Sequence, residues 1–208
     1  DINYLFLTHT HNDHIGALKT IVKKNSPTIC MGSKMFMDLD YLNEYDNIII
    51  LIDSLDLEDV HVDFIRTSHD ASESLGYIFT SGESSLVYIT DTGYLNQKIL
   101  KQIKNKNMYI IESNHDTNML MNGKYPFYLK QRIMGDKGHL SNNQASDYLK
   151  KVIGDNTKTV VLAHLSEENN TPHLAYNTSI NALLEMGALV NRDFQLRVAE
   201  PENQNKPI

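Results

Sequence analysis

The sequence predicts an α/β fold whose functional groups gather along one sheet edge. Strand-like and helix-like stretches alternate through most of the 208 residues, the pattern of a sheet crossed by helices. The first strand-like stretch runs straight into Thr8-His9-Thr10-His11-Asn12-Asp13-His14, an H-x-H-x-D-H run. Three later strand-like stretches are also closely followed by His or Asp, and strand ends are where α/β folds place their sites.

The elements follow from local composition. Residues 4–7 are an apolar run with strand character, and residues 28–31 form a second. Three consecutive isoleucines sit in the predicted strand 47–51. Apolar and β-branched residues predict further strands at 62–66, 76–80, 85–90, 108–112 and 159–163. Helical spacing predicts helices at 14–24, 94–103, 125–134, 142–152 and 172–186. Ser141 or Asn142 can cap the fourth of these. Thr171 can cap the last, with Pro172 in its first turn. One domain is expected over residues 1–199, and the polar segment 200–208 is expected to fray.

Composition excludes several classes. With 41% hydrophobic residues and 22% charged ones, the chain can bury a full core and is not globally disordered. Cys30 is the single cysteine, so no intrachain disulfide is possible. No signal peptide is visible, and no apolar run approaches the ~20 residues of a membrane span. A cytoplasmic setting without membrane contact is the expectation. The net charge of −7 does not advertise nucleic-acid binding, although two divalent cations would add about four positive charges at the site itself. Basic residues cluster at Lys98, Lys101, Lys104 and Lys106, and again at Lys124, Lys130, Arg132 and Lys137. Solvated helix faces are the simpler account of both groups.

The His/Asp run is hard to explain as structure. Such residues are poor at burying surface, and several together are costly to bury unless they coordinate something. His69 follows a predicted strand, Asp91 follows another before a glycine turn, and His164 directly ends a third. Seven candidates then make two metal sites. His9, His11 and His69 would hold one ion, Asp13, His14 and His164 the other, with Asp91 between them. Imidazole with carboxylate suits two zinc ions, and also manganese or iron. No thiolate is present, which argues against a closed structural zinc site. Two ions about 3.5–4 Å apart can share a bridging hydroxide and clamp the attacking and leaving oxygens.

The ligand order, H-x-H-x-D-H then His69, Asp91 and His164, resembles that of the metallo-β-lactamase superfamily. The resemblance implies a four-layer αββα sandwich and a metal-dependent hydrolase. Thr67-Ser68-His69-Asp70-Ala71, Glu112-Ser113-Asn114-His115-Asp116, Leu129-Lys130-Gln131-Arg132-Ile133, the 136–142 segment and the 162–172 segment are similar to the WalJ/YycJ group. That group is associated with 5′-to-3′ exonuclease activity on double-stranded DNA. Gly138-His139-Leu140-Ser141 is also similar to ribonuclease Z, where the histidine helps protonate the leaving oxygen. Asp13 and His139 are therefore the expected catalytic residues, with Ser141 and Asn142 as substrate contacts at a helix start. Only seven residues precede Thr8, whereas the superfamily places strands before this motif. The hydrolase domain is thus expected to be N-terminally incomplete.

Other residues carry weaker signals. Glu112, Asn114 and Asp116 read more readily as structure than as function. His115 reads equally as either, and Asp70 as a neighbour that orients a ligand. His61 and His173 are expected at the surface or in local structure, and 167–170 as a solvated loop. Cys30 is expected to be buried and inert. The sequence leaves three functions open: a phosphodiesterase acting as a DNA exonuclease, a small-molecule hydrolase of thioesterase or lactonase type, or a metal-binding remnant without turnover. The segment around His139 favours the first. The oligomeric state is not legible.

Overall fold

The computed structural model describes residues 2–188 and 192–199, so the expected tail at 200–208 lies outside the described residues. The chain starts on β1 (Tyr4–Phe6), turns through α1 (Asn12–Ile15) and runs along α2 (Leu18–Asn25) into β2 (Thr28–Met31). Helix α3 (Ser33–Asp38) and a 3-10 turn lead to β3 (Ile48–Ile50). Strands β4 (Leu55–Leu57), β5 (Val60–Arg66), β6 (Leu75–Ser81) and β7 (Ser84–Ile89) form an antiparallel meander. Then come α4 (Gln97–Gln102), β8 (Met108–Glu112), α5 (Thr117–Asn122), α6 (Phe127–Met134), α7 (Asn142–Val152), β9 (Thr159–Ala163), α8 (Pro172–Glu185) and β10 (Gln195–Val198).

Two sheets result. The smaller is parallel, in the order β1-β2-β3. The larger runs β10-β9-β8-β7-β6-β5-β4, with β7 to β10 parallel. Strand β6 shows how they stack. Leu75 and Tyr77 pack with Ile29, Met31 and Leu18 of the small sheet and its helix. Ile78, on the opposite face, packs with Ile99, Leu149 and Leu183 from α4, α7 and α8. Side chains alternate across a strand, so a strand apolar on both faces belongs inside a sandwich. The order of layers is helix, sheet, sheet, helix, as the superfamily resemblance implies. Among the described residues no helix is long and apolar enough to cross a membrane.

The sequence and the structure differ where elements are short. The expected helix 14–24 is two helices, because His14 and Ile15 donate to the His11 carbonyl (3.0 and 3.1 Å) and close a separate turn. Strands β4 and β10 and helices α3 and α5 span three to six residues, too few for a periodic signal. Four elements match to the residue: β2, β8, β9 and α7. Cys30 is 0% exposed, and burial pushes its thiol up to about 11. Native protein at pH 8 should therefore not react with a thiol reagent, whereas the denatured chain should label at its one cysteine. Equal labelling rates in the two states would contradict this burial.

Candidate metal centre

The first ligand group is placed by the end of β1 and the turn after it. Leu7 donates to Cys30 (3.0 Å), and Thr8 accepts from Leu75 (2.8 Å), so the backbone before the motif is tied to both sheets. His9 and His11, two apart on extended backbone, share a side, with rings 4.7 Å apart. The single turn of α1 then brings round His14, whose ring lies 4.1 Å from that of His9. Asp13 sits at the mouth, with 73% of its side chain exposed.

The second group comes from the C-terminal ends of the large sheet. Asp91 follows β7, Glu112 ends β8 and His164 follows β9, three parallel neighbours. Asp91 and His164 both adopt left-handed backbone, at φ 55° and 57°. Asp and His are among the non-glycine residues that enter this sparsely populated region most often, and such turns cluster at functional sites. The loop carrying His69 is pinned to the Asp91 loop, where Gly93 donates to Ser68 (2.9 Å). Gly93 is required there, because a Cβ would stand 2.3 Å from the Asp136 carbonyl oxygen.

The seven expected ligands fall into two adjoining groups. Ligand atoms of His9, His11 and His69 lie within 4.8 Å of one another, as do those of Asp13, His14 and His164. His69 Nε2 faces His11 Nδ1 at 3.3 Å, roughly the edge of a tetrahedron with ~2.05 Å metal–nitrogen bonds. Asp91 stands between the groups. Its carboxylate oxygens lie 3.4 Å from His14 Nε2, 3.5 Å from His164 Nε2 and 3.7 Å from His69 Nε2.

Two atoms test whether cations fit here. His9 Nε2 and Asp91 Oδ2 are buried and have no hydrogen-bond partner. Such orphans are costly unless something else satisfies them. His9 Nδ1 already meets Thr8 Oγ1 at 3.2 Å, which leaves Nε2 as its ligand atom. Burial, with His14, His69 and His11 alongside, holds His9 down at about 3, so its imidazole is neutral and able to ligate. Burial likewise lowers His69. The donor set of imidazole and carboxylate fits divalent cations.

Glu112 is the residue that sequence reasoning weighed too lightly. It is 0% exposed. Its Oε1 accepts from Nδ1 of both His139 and His164, each at 2.8 Å, and from the Asp91 N–H at 3.2 Å. Its Oε2 accepts from the N–H groups of Thr92 (3.2 Å) and Leu140 (2.9 Å). Burial favours its neutral form, but the hydrogen bonds from His139 and His164 outweigh it and hold the carboxyl well below the usual range. Burial likewise disfavours charge on His164, yet the Glu112 hydrogen bond and the Asp91 charge push it up to about 9. A cation beside its Nε2 competes with that proton. The available signal was positional: Glu112 ends an apolar strand, as Asp91 and His164 follow theirs.

The remaining expectations separate. His139 joins Asp91, Glu112 and His164 in one group, and it lines a cleft with His11, Asp13, His69 and Asp91. Asp70 lies 3.6 Å from His69 Nε2 and 3.8 Å from His11 Nε2, and accepts from Arg132 Nε at 2.5 Å. Ser141 and Asn142 are used inside the protein. Ser141 forms a capping box with Gln144 on α7. Asn142 is 1% exposed, with its amide bound to Ser113 and Asn170 and its N–H given to the His115 carbonyl. The start of α7 is thus satisfied internally. Asp116 caps α5, and Asn114 holds the His164 carbonyl at 3.0 Å, both structural as expected. His115 is 1% exposed, and burial drives it down to about 4. His61 pairs with Asp56 at the surface, and His173 contacts Asn177 one helical turn on. Lys98, Lys101 and Lys104 are exposed.

Residues 1–165 match the family described as a β-lactamase superfamily domain. The chain belongs to the metallo-β-lactamase superfamily. It is 34% identical to the exodeoxyribonuclease YycJ of Bacillus anthracis, over 99% of this chain and 80% of that one. It is 32% identical to the exodeoxyribonuclease WalJ of Streptococcus pneumoniae, over 97% and 78%. Among solved structures it resembles the metallo-β-lactamase fold protein YhfI of Bacillus subtilis. That likeness has a TM-score of 0.66 at 14% identity and covers 95% of this chain and 75% of that one. Membership and the ligand cluster together make the chain a metal-dependent hydrolase of this superfamily.

Proposed function

We propose that this superfamily member is a phosphodiesterase that trims DNA from a 5′ end, working with two divalent cations, zinc foremost, with manganese and iron as the alternatives. The observation that carries this reading is the place of His139. It lies outside the H-x-H-x-D-H motif, yet shares Glu112 with His164 and borders the same cleft as Asp91. The similarity to two exodeoxyribonucleases supports the same substrate class. Bound by the seven ligands, the cations would supply activated water and offset charge on the phosphate.

The chain's own residues do the rest. Glu112 fixes the rings of His139 and His164 through their Nδ1 atoms, leaving Nε2 of each to face the reaction. His139 then gives a proton from Nε2 to the departing oxygen, with the imidazolium stabilised by Glu112. Asp13, exposed at the mouth, adds a carboxylate beside His14 at 3.6 Å.

The test joins metal content to cleavage of 5′-labelled double-stranded DNA with added zinc or manganese. About two metals per chain and metal-dependent end trimming are expected. Metal without cleavage would instead favour a small-molecule ester substrate. His139→Ala should slow cleavage by about 10²–10⁴-fold, the range for a lost general acid, while bound metal stays unchanged. Unaltered cleavage in that variant would remove the proton-donor role.

A further inference from the structure

Helix α6 has no buried residue. Leu129 and Ile133, one helical turn apart with Arg132 adjoining, share one face, and Tyr125 stands just before the first turn. Those four residues line the cleft of about 310 Å³ opposite His11, His69, Asp91 and His139. The apolar side of α6 is thus turned toward the metal ligands.

Two cations border the same space. Arg132 is fixed by its Nε on Asp70 at 2.5 Å, while its side chain remains 59% exposed. Its other guanidinium nitrogens have no partner among the described residues, so they remain available to an anion. Lys137 is exposed and lines the cleft without a partner among the described residues. Lys130 differs, because its Nζ is spent on the Met121 and Gly123 carbonyls at 2.8 Å each.

We propose that this cleft is a single-nucleotide subsite, in which Arg132 and Lys137 take the phosphate and Tyr125, Leu129 and Ile133 take the base. The proposal rests on the phosphodiesterase reading and names the part of the substrate held beside the metal ligands. An acyl chain would use the apolar wall and leave both cations idle. A nucleotide uses both. The cleft volume, at the low end for ligand pockets, suits a ligand the size of one nucleotide.

The experiment compares dAMP, deoxyadenosine and inorganic phosphate as ligands of the metal-loaded protein by calorimetry. dAMP should bind about tenfold or more tighter than either fragment. Lys137→Ala should weaken dAMP by about tenfold, the worth of one charge-assisted contact, and leave deoxyadenosine and metal content unchanged. Leu129→Ala should weaken dAMP and deoxyadenosine but not phosphate. Phosphate binding as tightly as dAMP would overturn the proposal, as would dAMP binding that ignores both substitutions. DNA cleavage with such insensitive dAMP binding would sink the subsite alone. The expected dAMP pattern without DNA cleavage would sink the nuclease reading and keep the subsite.

Discussion

Asp91→Asn should bring hydrolysis to the assay background and reduce the metal retained after dialysis. The substitution is close to isosteric, and Asn tolerates the left-handed backbone that Asp91 adopts at φ 55°. Folding should therefore survive, and the loss can be read as chemistry. The buried carboxylate lies within 3.7 Å of ligand nitrogens from both halves of the site. Its neutralisation removes the charge shared by both. The expected loss exceeds the roughly 10²–10³-fold that follows removal of a single electrostatic donor. Near-normal turnover with two metals bound would mean that Asp91 does not stand between the ions.

Glu112→Gln should be nearly as severe, by a different route. A carboxylate accepts from five donors here, split over two oxygens. An amide offers one oxygen, so its NH₂ must face either the two imidazole N–H groups or the Thr92 and Leu140 amides. Metal affinity or activity should fall about 10–100-fold, as when the partner of a ligating histidine is lost. Stability should fall by about 3–5 kcal/mol, the cost of breaking a buried charged pair. Metal titration, turnover and denaturant unfolding measured together separate these effects. Lower stability with wild-type metal affinity and turnover would make Glu112 scaffolding alone.

These two residues show what the sequence made legible. Asp91 stood out because a ligand-type residue just beyond an apolar strand has few structural uses. Strands β2, β8 and β9 were legible because short apolar runs between polar segments have few other conformations. Glu112 ends such a run too, but its importance is a sum over partners at 91, 92, 139, 140 and 164. Only the fold brings those partners together. Asn142 misled for the complementary reason. A polar residue at a helix start suggests an anion contact, and nothing local reveals that Ser113 and Asn170 already consume its amide. The short elements β4 and β10 escaped because three or four residues of mixed polarity carry no period.

The ligands are not evenly distributed between the layers. His9, His11, Asp13 and His14 follow β1 of the small sheet, whereas His69, Asp91 and His164 follow strands of the large one. A cation held by His9, His11 and His69 would therefore fasten the two halves of the sandwich at one end, like a rivet through two plates. Chemistry and architecture then draw on the same ions. Without metal the plates would lose this fastening while their cores stayed packed. The chain would then be easier to open, and easier for proteases to remove, when it could no longer work.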